Sequence, residues 1–279
     1  MKKANTEIKI IPVDYLNLIK TDLKLDFAKT CLIRWDSNFY ESEFDIIPKE
    51  FLRFAKADFK ENNVKGFINA LTNAKRAIDC QIDTVLNILG INFDKLSPAV
   101  DTFIKFSDLS GDNLPQKLKL FSALDFAPSG LISNIRTLRN KLEHYYEKPT
   151  PKDVKDALEL SELFLLAVES KLSPFQEGFV LTDTLNHDYD EKDYRHHIIN
   201  GLRFEYNSKK GCIEMQIIRN KTYSKTIKLI DQKVPEYYFL IKLLNNFNDD
   251  FELLNSLTLF LRFLKHPIPE KNIKVTRED

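Results

Sequence analysis

Glycine is scarce in this chain, with seven in 279 residues. So few conformationally free positions beside a 43% hydrophobic content exclude a disordered polymer and point to a globular, helix-rich protein. Cysteine is scarce too. Cys31, Cys80 and Cys212 stand far apart with no paired spacing, which argues against a disulfide framework or a zinc knuckle and fits a reducing cytoplasm. Neither sign of charge is in excess, with 41 Lys+Arg against 41 Asp+Glu, so no global positive field draws nucleic acid and any such contact has to be local. Long apolar runs are missing as well. Leu163-Phe164-Leu165-Leu166-Ala167-Val168 falls far short of the roughly 20 residues that span a bilayer. The opening Met1-Lys2-Lys3 leads into no apolar stretch, because Glu7 and Lys9 interrupt it, so neither export nor membrane association is expected. No internal repeat or low-complexity segment is present.

What is present is mostly helical periodicity. After a short Ile8-Lys9-Ile10 lead-in, Tyr15, Leu16, Ile19, Leu23, Phe27, Leu32 and Trp35 predict a helix from about Val13 to Trp35. Residues 48–89 predict two helices or one interrupted helix. Its second half carries the strongest stripe in the chain, from Phe67 through Ala70, Leu71, Ala74, Ile78, Ile82 and Val85 to Leu89, with Gly90 as the stop. Shorter helical pieces follow at 98–107 and 115–124, then helices at 129–147 and from Pro151 to about Lys171. Thr150 is the N-cap of the last of these, and Asp153 at the third helical position makes a near relative of the capping box. After Pro174 the texture changes. Leu202, Phe204 and Tyr206 alternate with polar residues, Ser208-Lys209-Lys210-Gly211 forms a turn, and Ile213, Met215 and Ile217 alternate again, with Ile227 and Leu229 opening a third run. That is a hairpin or meander, followed by helices near 235–247 and 249–264 and a polar tail. The expected fold is therefore mainly α: an N-terminal helical extension over 1–47, a helical bundle over 48–171, and a smaller C-terminal α+β domain over 172–279.

Chemistry is most legible in Arg139-Asn140-Lys141-Leu142-Glu143-His144-Tyr145-Tyr146. Leu131, Ile135, Leu138, Leu142 and Tyr145 form the apolar stripe of an amphipathic helix. At about 100° per residue, Asn140 and His144 share a face well away from that stripe. Arg139 lies on the flank of the same polar side. Pro149 and Pro151 end the helix near Glu147, which puts His144 by the last carbonyls, where the protonated ring is favoured and its pKa stays near neutrality. Without further chemistry, the same residues make a solvated helix face with an Arg139–Glu143 pair of small value, and Tyr146 is an exposed aromatic beside the core residue Tyr145.

The order Arg, Asn, three residues, His, one residue, Tyr resembles the signature of the HEPN superfamily of small helical bundles, many of which are metal-independent ribonucleases in toxin–antitoxin and phage-defence systems. The resemblance covers roughly residues 48–171. It implies that Arg139 and His144 are catalytic, that Asn140 supports them, and that two protomers bring two motifs to one shared cleft. In the branch paired with nucleotidyltransferase antitoxins, it makes Tyr146 the modification site. RNA, a second copy of the chain, and an antitoxin or defence partner are the expected partners, and no metal or other cofactor is expected. The rival expectation is a catalytically inactive module of the same kind that binds a protein or a nucleotide; another is a defence sensor whose C-terminal domain detects the trigger. Residues 183–195 and beyond hold His187, Asp188, Asp190, His196 and His197. Their spacing fits no metal site, and they are expected to be a solvated connector. Lys209-Lys210, Arg219 and Lys221 fall in turns where charge is ordinary.

Overall fold

The computed structural model describes residues 14–35, 44–107, 114–127, 130–131, 134, 137, 148–172, 175, 177–190 and 195–278. These residues form two compact units. One comprises Phe39–Leu96 and Leu109–Ser173, the other Met1–Asn38, Ser97–Asp108 and Pro174–Asp279.

The first unit, among its described residues, consists of helices joined by turns and loops, with no strand. Helix α2 (Pro48–Lys60) opens with proline at its first position, where no N–H is needed, and the Glu50 carboxylate accepts the Ile47 N–H at 3.3 Å. Helix α3 (Val64–Ile88) starts at Asn63, whose side chain accepts from Gly66 N–H at 2.8 Å. A Cβ on Gly66 would stand 2.5 Å from the Asp58 carbonyl oxygen, so glycine is what lets α2 turn back so tightly against α3. The predicted stripe of α3 is buried from Phe67 to Val85. Gly90 ends the helix in the left-handed conformation, while Ile91 N–H reaches Leu86 C=O at 2.8 Å, the paired closure expected of a glycine stop. Helix α5 (Gln116–Ala123) is followed by helix α6 (Pro151–Leu172). The cap of α6 forms as predicted: Asp153 N–H donates to Thr150 Oγ1 at 3.2 Å and Thr150 N–H donates to Asp153 Oδ2 at 3.0 Å. Ser161, fully buried on α6, donates to the Ala74 carbonyl of α3 at 3.2 Å.

The second unit overturns the expectation of a mainly helical chain. Its centre is a seven-stranded mixed sheet in the order β7-β6-β5-β2-β1-β9, with β8 also on β6, and a separate two-stranded sheet of β3 and β4 stands beside it. The chain is α+β. The strands are β1 (Thr30–Trp35), β2 (Gly178–Asp183), β3 (His187–Asp190), β4 (Arg195–Ile198), β5 (Gly201–Asn207), β6 (Cys212–Arg219), β7 (Thr222–Tyr223), β8 (Lys228–Asp231) and β9 (Val275–Glu278). All main-sheet pairs are antiparallel except β1 with β9.

The helix predicted over 13–35 is one short α-turn, α1 (Tyr15–Asn17), continued by a π-helix over Leu18–Asp22. Lys24 then takes a left-handed φ of 54° and the chain emerges as β1. Cys31, Leu32 and Ile33 are buried on consecutive positions, so both faces of β1 are covered. Such a strand has no period of two, and its apolar residues slipped into the helical stripe upstream. Strand β2, buried at all six positions, escaped notice for the same reason, and the polar tail holds β9.

One face of the sheet, carrying Leu32, Phe179, Leu181, Leu202, Phe204 and Met215, is buried. On this side lie helices α4 (Ala99–Phe106), α7 (Pro235–Asn245) and α8 (Asp250–Phe263). Residues Tyr237 to Asn245 of α7 are buried without a break, as an all-round apolar helix requires. Phe239 stacks on Phe263 with centroids 4.5 Å apart and meets Phe103 edge-on at 5.0 Å, and Phe179 meets Phe247 at 6.4 Å. The 235–247 and 249–264 helices and the 207–212 hairpin stand where the sequence put them.

After α8, the His266 ring lies 4.9 Å from that of Phe27, and its Nδ1 accepts the Ile268 N–H at 3.3 Å. Burial, reinforced by Lys20, lowers its pKa. The unfolded chain, with an ordinary histidine near 6.5, therefore binds this proton more readily. The stability His266 supplies is full above about pH 6.5 and is lost as pH falls from there toward the depressed folded value. Urea unfolding at pH 7.5 and pH 5.5 should show a smaller acid loss in His266→Phe, which keeps the ring but does not titrate. Equal losses in both proteins would contradict this.

Candidate functional site

Strands β2 and β5 pair side by side, yet residues 184–200 leave the sheet between them and return. Those residues make the β3–β4 arm. Its exit is anchored on Asp183, which has no exposed surface. The Asp183 carboxylate accepts N–H groups of Asp26 at 2.8 Å, Leu185 at 2.8 Å and Asn186 at 3.0 Å, plus the Asn186 side-chain amide. Its return is tied by Asn200, whose amide donates to Asn186 Oδ1 at 2.8 Å while its carbonyl accepts the Thr182 hydroxyl at 2.7 Å.

The arm lies on the sheet face opposite the helices. There Ile198 of β4 joins Cys31, Ile33, Val180 and Ile218 in one apolar cluster. Further along this face the sheet turns polar: Arg203 bonds Glu205 and donates to Gln216 at 3.3 Å.

Alternation on β1 puts Cys31 on this face, and the register sets it between Thr182 of β2 and Thr276 of β9. Two residues on, Ile33 pairs with Glu278, so Glu278 shares the face. In the arm, His187 opposes Ile198 and Tyr189 opposes His196, a diagonal that brings the two histidines together. Cys31 Sγ lies 3.9 Å from His187 Nδ1. His187 Nε2 lies 2.8 Å from His196 Nδ1, and the Glu278 Oε2 atom is 3.5 Å from each of those nitrogens. Tyr189 flanks the His196 ring at 4.9 Å. The Cys31 and His187 side chains are buried, whereas Glu278 is about one-third exposed.

Burial pushes the Cys31 thiol up to about 12, and the Glu278 carboxylate pushes the same way. His187 is lowered by burial, which outweighs the opposite pull of Glu278, and His196 adds to the lowering. Burial thus favours a protonated thiol at Cys31 and a neutral imidazole at His187. A buried, protonated thiol is a poor nucleophile. What the site offers is donor atoms: one each from Cys31, His187 and Glu278 lie within 4.8 Å of one another, the one such group among the described residues.

Arg139, Asn140, His144 and Tyr146 lie outside the described residues. Positions 130, 131, 134 and 137 leading toward them are helical, and the cap of α6 comes after them. Of the five residues expected to be a solvated connector, His187 and His196 meet in the arm. Asp188 is exposed, and His197 faces Asp190 at 4.0 Å in the open. Arg219 holds Asp22 at 2.9 Å and Lys210 holds Glu214 at 2.8 Å. Cys31 and Glu278 were not singled out from sequence, since four separate strands supply this cluster and no local spacing links them. Pairing His187 and His196 across a hairpin was the one available signal. Among the described residues no helix is long and apolar enough to cross a membrane. Comparison with protein-family models, curated proteins and solved structures returns no match to this chain.

Two outcomes test this geometry. Asp183→Ala strands several part-buried N–H groups and should cost about 3 kcal/mol, since each orphaned donor costs on the order of 1–3 kcal/mol when buried and less where water reaches it. Denaturant titration reads it, and a loss under about 1 kcal/mol would refute the anchor. In folded, chelator-treated protein at pH 8, Cys31 should react with iodoacetamide at least about a hundredfold more slowly than free cysteine, because its thiolate is a fraction on the order of 10⁻⁴ against roughly 0.2 for a free thiol, a deficit that the greater nucleophilicity of a more basic thiolate offsets only in part. Mass spectrometry of alkylated peptides, with unfolded protein as reference, gives the rates.

Proposed function

We propose that this chain is an endoribonuclease whose chemical step needs no metal, acting as a toxin or phage-defence effector. The observation that carries the reading is the Arg139-Asn140, His144, Tyr146 spacing in a segment that leads into the capped start of α6. The helical character of the described residues around it, in α2, α3, α5 and α6, supports the resemblance to HEPN domains.

The reaction is internal transesterification. The ribose 2′-oxygen attacks the adjacent phosphorus, forming one P–O bond as the bond to the 5′-oxygen breaks, and the products are a 2′,3′-cyclic phosphate and a 5′-hydroxyl. His144 takes the 2′ proton or returns one to the leaving oxygen, a role suited to a group titrating near the working pH. Arg139 offers a planar donor fork to the phosphoryl oxygens, and Asn140 orients the imidazole or holds an oxygen. A homodimer with both motifs in one cleft supplies a second histidine, so that base and acid are present together. Tyr146 is the proposed adenylylation target of a partner antitoxin, the cytoplasm is the proposed location, and the sheet unit is the proposed element for recognising a partner or trigger.

Arg139→Ala and His144→Ala should each lower RNA cleavage by at least about a hundredfold, as loss of an acid–base or charge-stabilising group does, with circular dichroism unchanged. Mass analysis of wild-type products should show cyclic phosphate ends. Mixed Arg139→Ala and His144→Ala protomers should regain activity where Arg and His come from different chains. Folded wild type without cleavage of any RNA supplied favours the binding-module reading instead, and 5′-phosphate ends mean a different mechanism.

A further inference from the structure

We propose that Cys31, His187, Glu278 and His196 form a binding site for one zinc-class divalent cation that clasps the β3–β4 arm to strands β1 and β9. The donor set is one sulfur, two imidazoles and one carboxylate. Thiolate and imidazole select zinc-class ions, whereas magnesium and calcium call for oxygen donors alone.

The spacing is that of a site slightly open. With bond lengths of about 2.0–2.3 Å, a tetrahedral zinc holds its donors roughly 3.3–3.8 Å apart. Taking Nε2 as the His187 donor, Glu278 Oε2 is 3.5 Å from it and from His196 Nδ1, while the Cys31 sulfur, 3.9 Å from the other ring nitrogen, belongs with His187 and Glu278 to a group whose donor atoms lie within 4.8 Å of one another. The two imidazole nitrogens that face each other, 2.8 Å apart, would part by about half an ångström to admit the ion. Rotation of the His187 ring selects which of its nitrogens binds. Charge also balances: two positive charges meet one thiolate and one carboxylate, and the thiol proton of Cys31 leaves to solvent as the sulfur–metal bond forms. The partly exposed Glu278 and His196 give the entry path, while the buried Cys31 and His187 form the floor.

The same side chains already meet as a polar network, the His187–His196 pair with the Glu278 carboxylate beside it, which is what places the donors. A fully buried thiol, two imidazoles and a carboxylate converge from four strands, where an apolar cluster of the Ile33, Val180 and Ile198 kind would pack the arm without them. The residues are remote in sequence from Arg139 and His144, and the ion has a holding role, so this inference stands or falls apart from the nuclease reading.

The test uses the full chain, stripped with a chelator, dialysed, and confirmed folded by circular dichroism. Zinc titrated against a chromophoric chelator should bind at one per chain, and its addition should raise the melting temperature. Cobalt(II) should give a thiolate-to-metal charge-transfer band that Cys31→Ser abolishes. Glu278→Gln and His187→Gln should weaken zinc by about tenfold or more. Should His187→Gln fail to fold, Glu278→Gln on the partly exposed edge strand and the wild-type cobalt spectrum still decide. Zinc binding weaker than about 100 μM, a cobalt spectrum without the thiolate band, or unchanged affinity in both Glu278→Gln and Cys31→Ser overturns the proposal.

Discussion

The sheet unit depends on one buried carboxylate. Strands β2 and β5 can be neighbours only if the chain between them leaves and re-enters at nearly the same point, and Asp183 fixes that point by taking backbone N–H groups from both its own turn and the Asp26 loop. A charge taken fully out of water is tolerable only when its lone pairs are met this well. Because Asp26 belongs to the lead into β1 and Leu185 to the lead into the arm, one side chain sets the arm and the Cys31 strand relative to each other. That tie bears on how closely His187 of the arm approaches Cys31 of β1.

Most helices were legible because they present one apolar face over many residues, and one signal is then written many times; α7, buried on every side from Tyr237 to Asn245, was legible from its continuous apolar run instead. The α3 stripe, the Gly90 closure and the Thr150–Asp153 cap needed nothing beyond local spacing. The sheet was legible where it alternates, in β5 and β6, whose face away from the helices turns polar at Arg203, Glu205, Glu214 and Gln216, and in the run at Ile227 and Leu229 that opens β8. Strands covered on both faces carry no alternation, so β1 and β2 passed for helix or loop. The same burial hid the Cys31 cluster: a residue's chemistry cannot be grouped with its neighbours when the strand holding it is not recognised as a strand. The Arg139 and His144 spacing is local, so it is open to proposal from sequence alone, and both residues lie outside the described ones.

The two units are also interleaved along the chain. The sheet unit takes its first strand before the helical unit begins, recovers α4 from the middle, and is finished only by the residues beyond 173. A residue range therefore does not define a functional part here, and cutting the chain at about 172 would leave β1 and α4 without the strands and helices they pack with.

The pairing of β1 with β9 has a consequence for how the chain is made. During synthesis the segments of the helical unit are complete before β2 exists, whereas Cys31, Leu32 and Ile33 must wait for β2 on one edge and for residues 275–278 on the other. An apolar strand held that long without partners is the kind of segment that associates with other chains. Long-range pairings of this sort are also slow to close. In a newly made copy β1 therefore has both edge partners only once translation has passed residue 278, and whatever shields that strand until then favours the folded product.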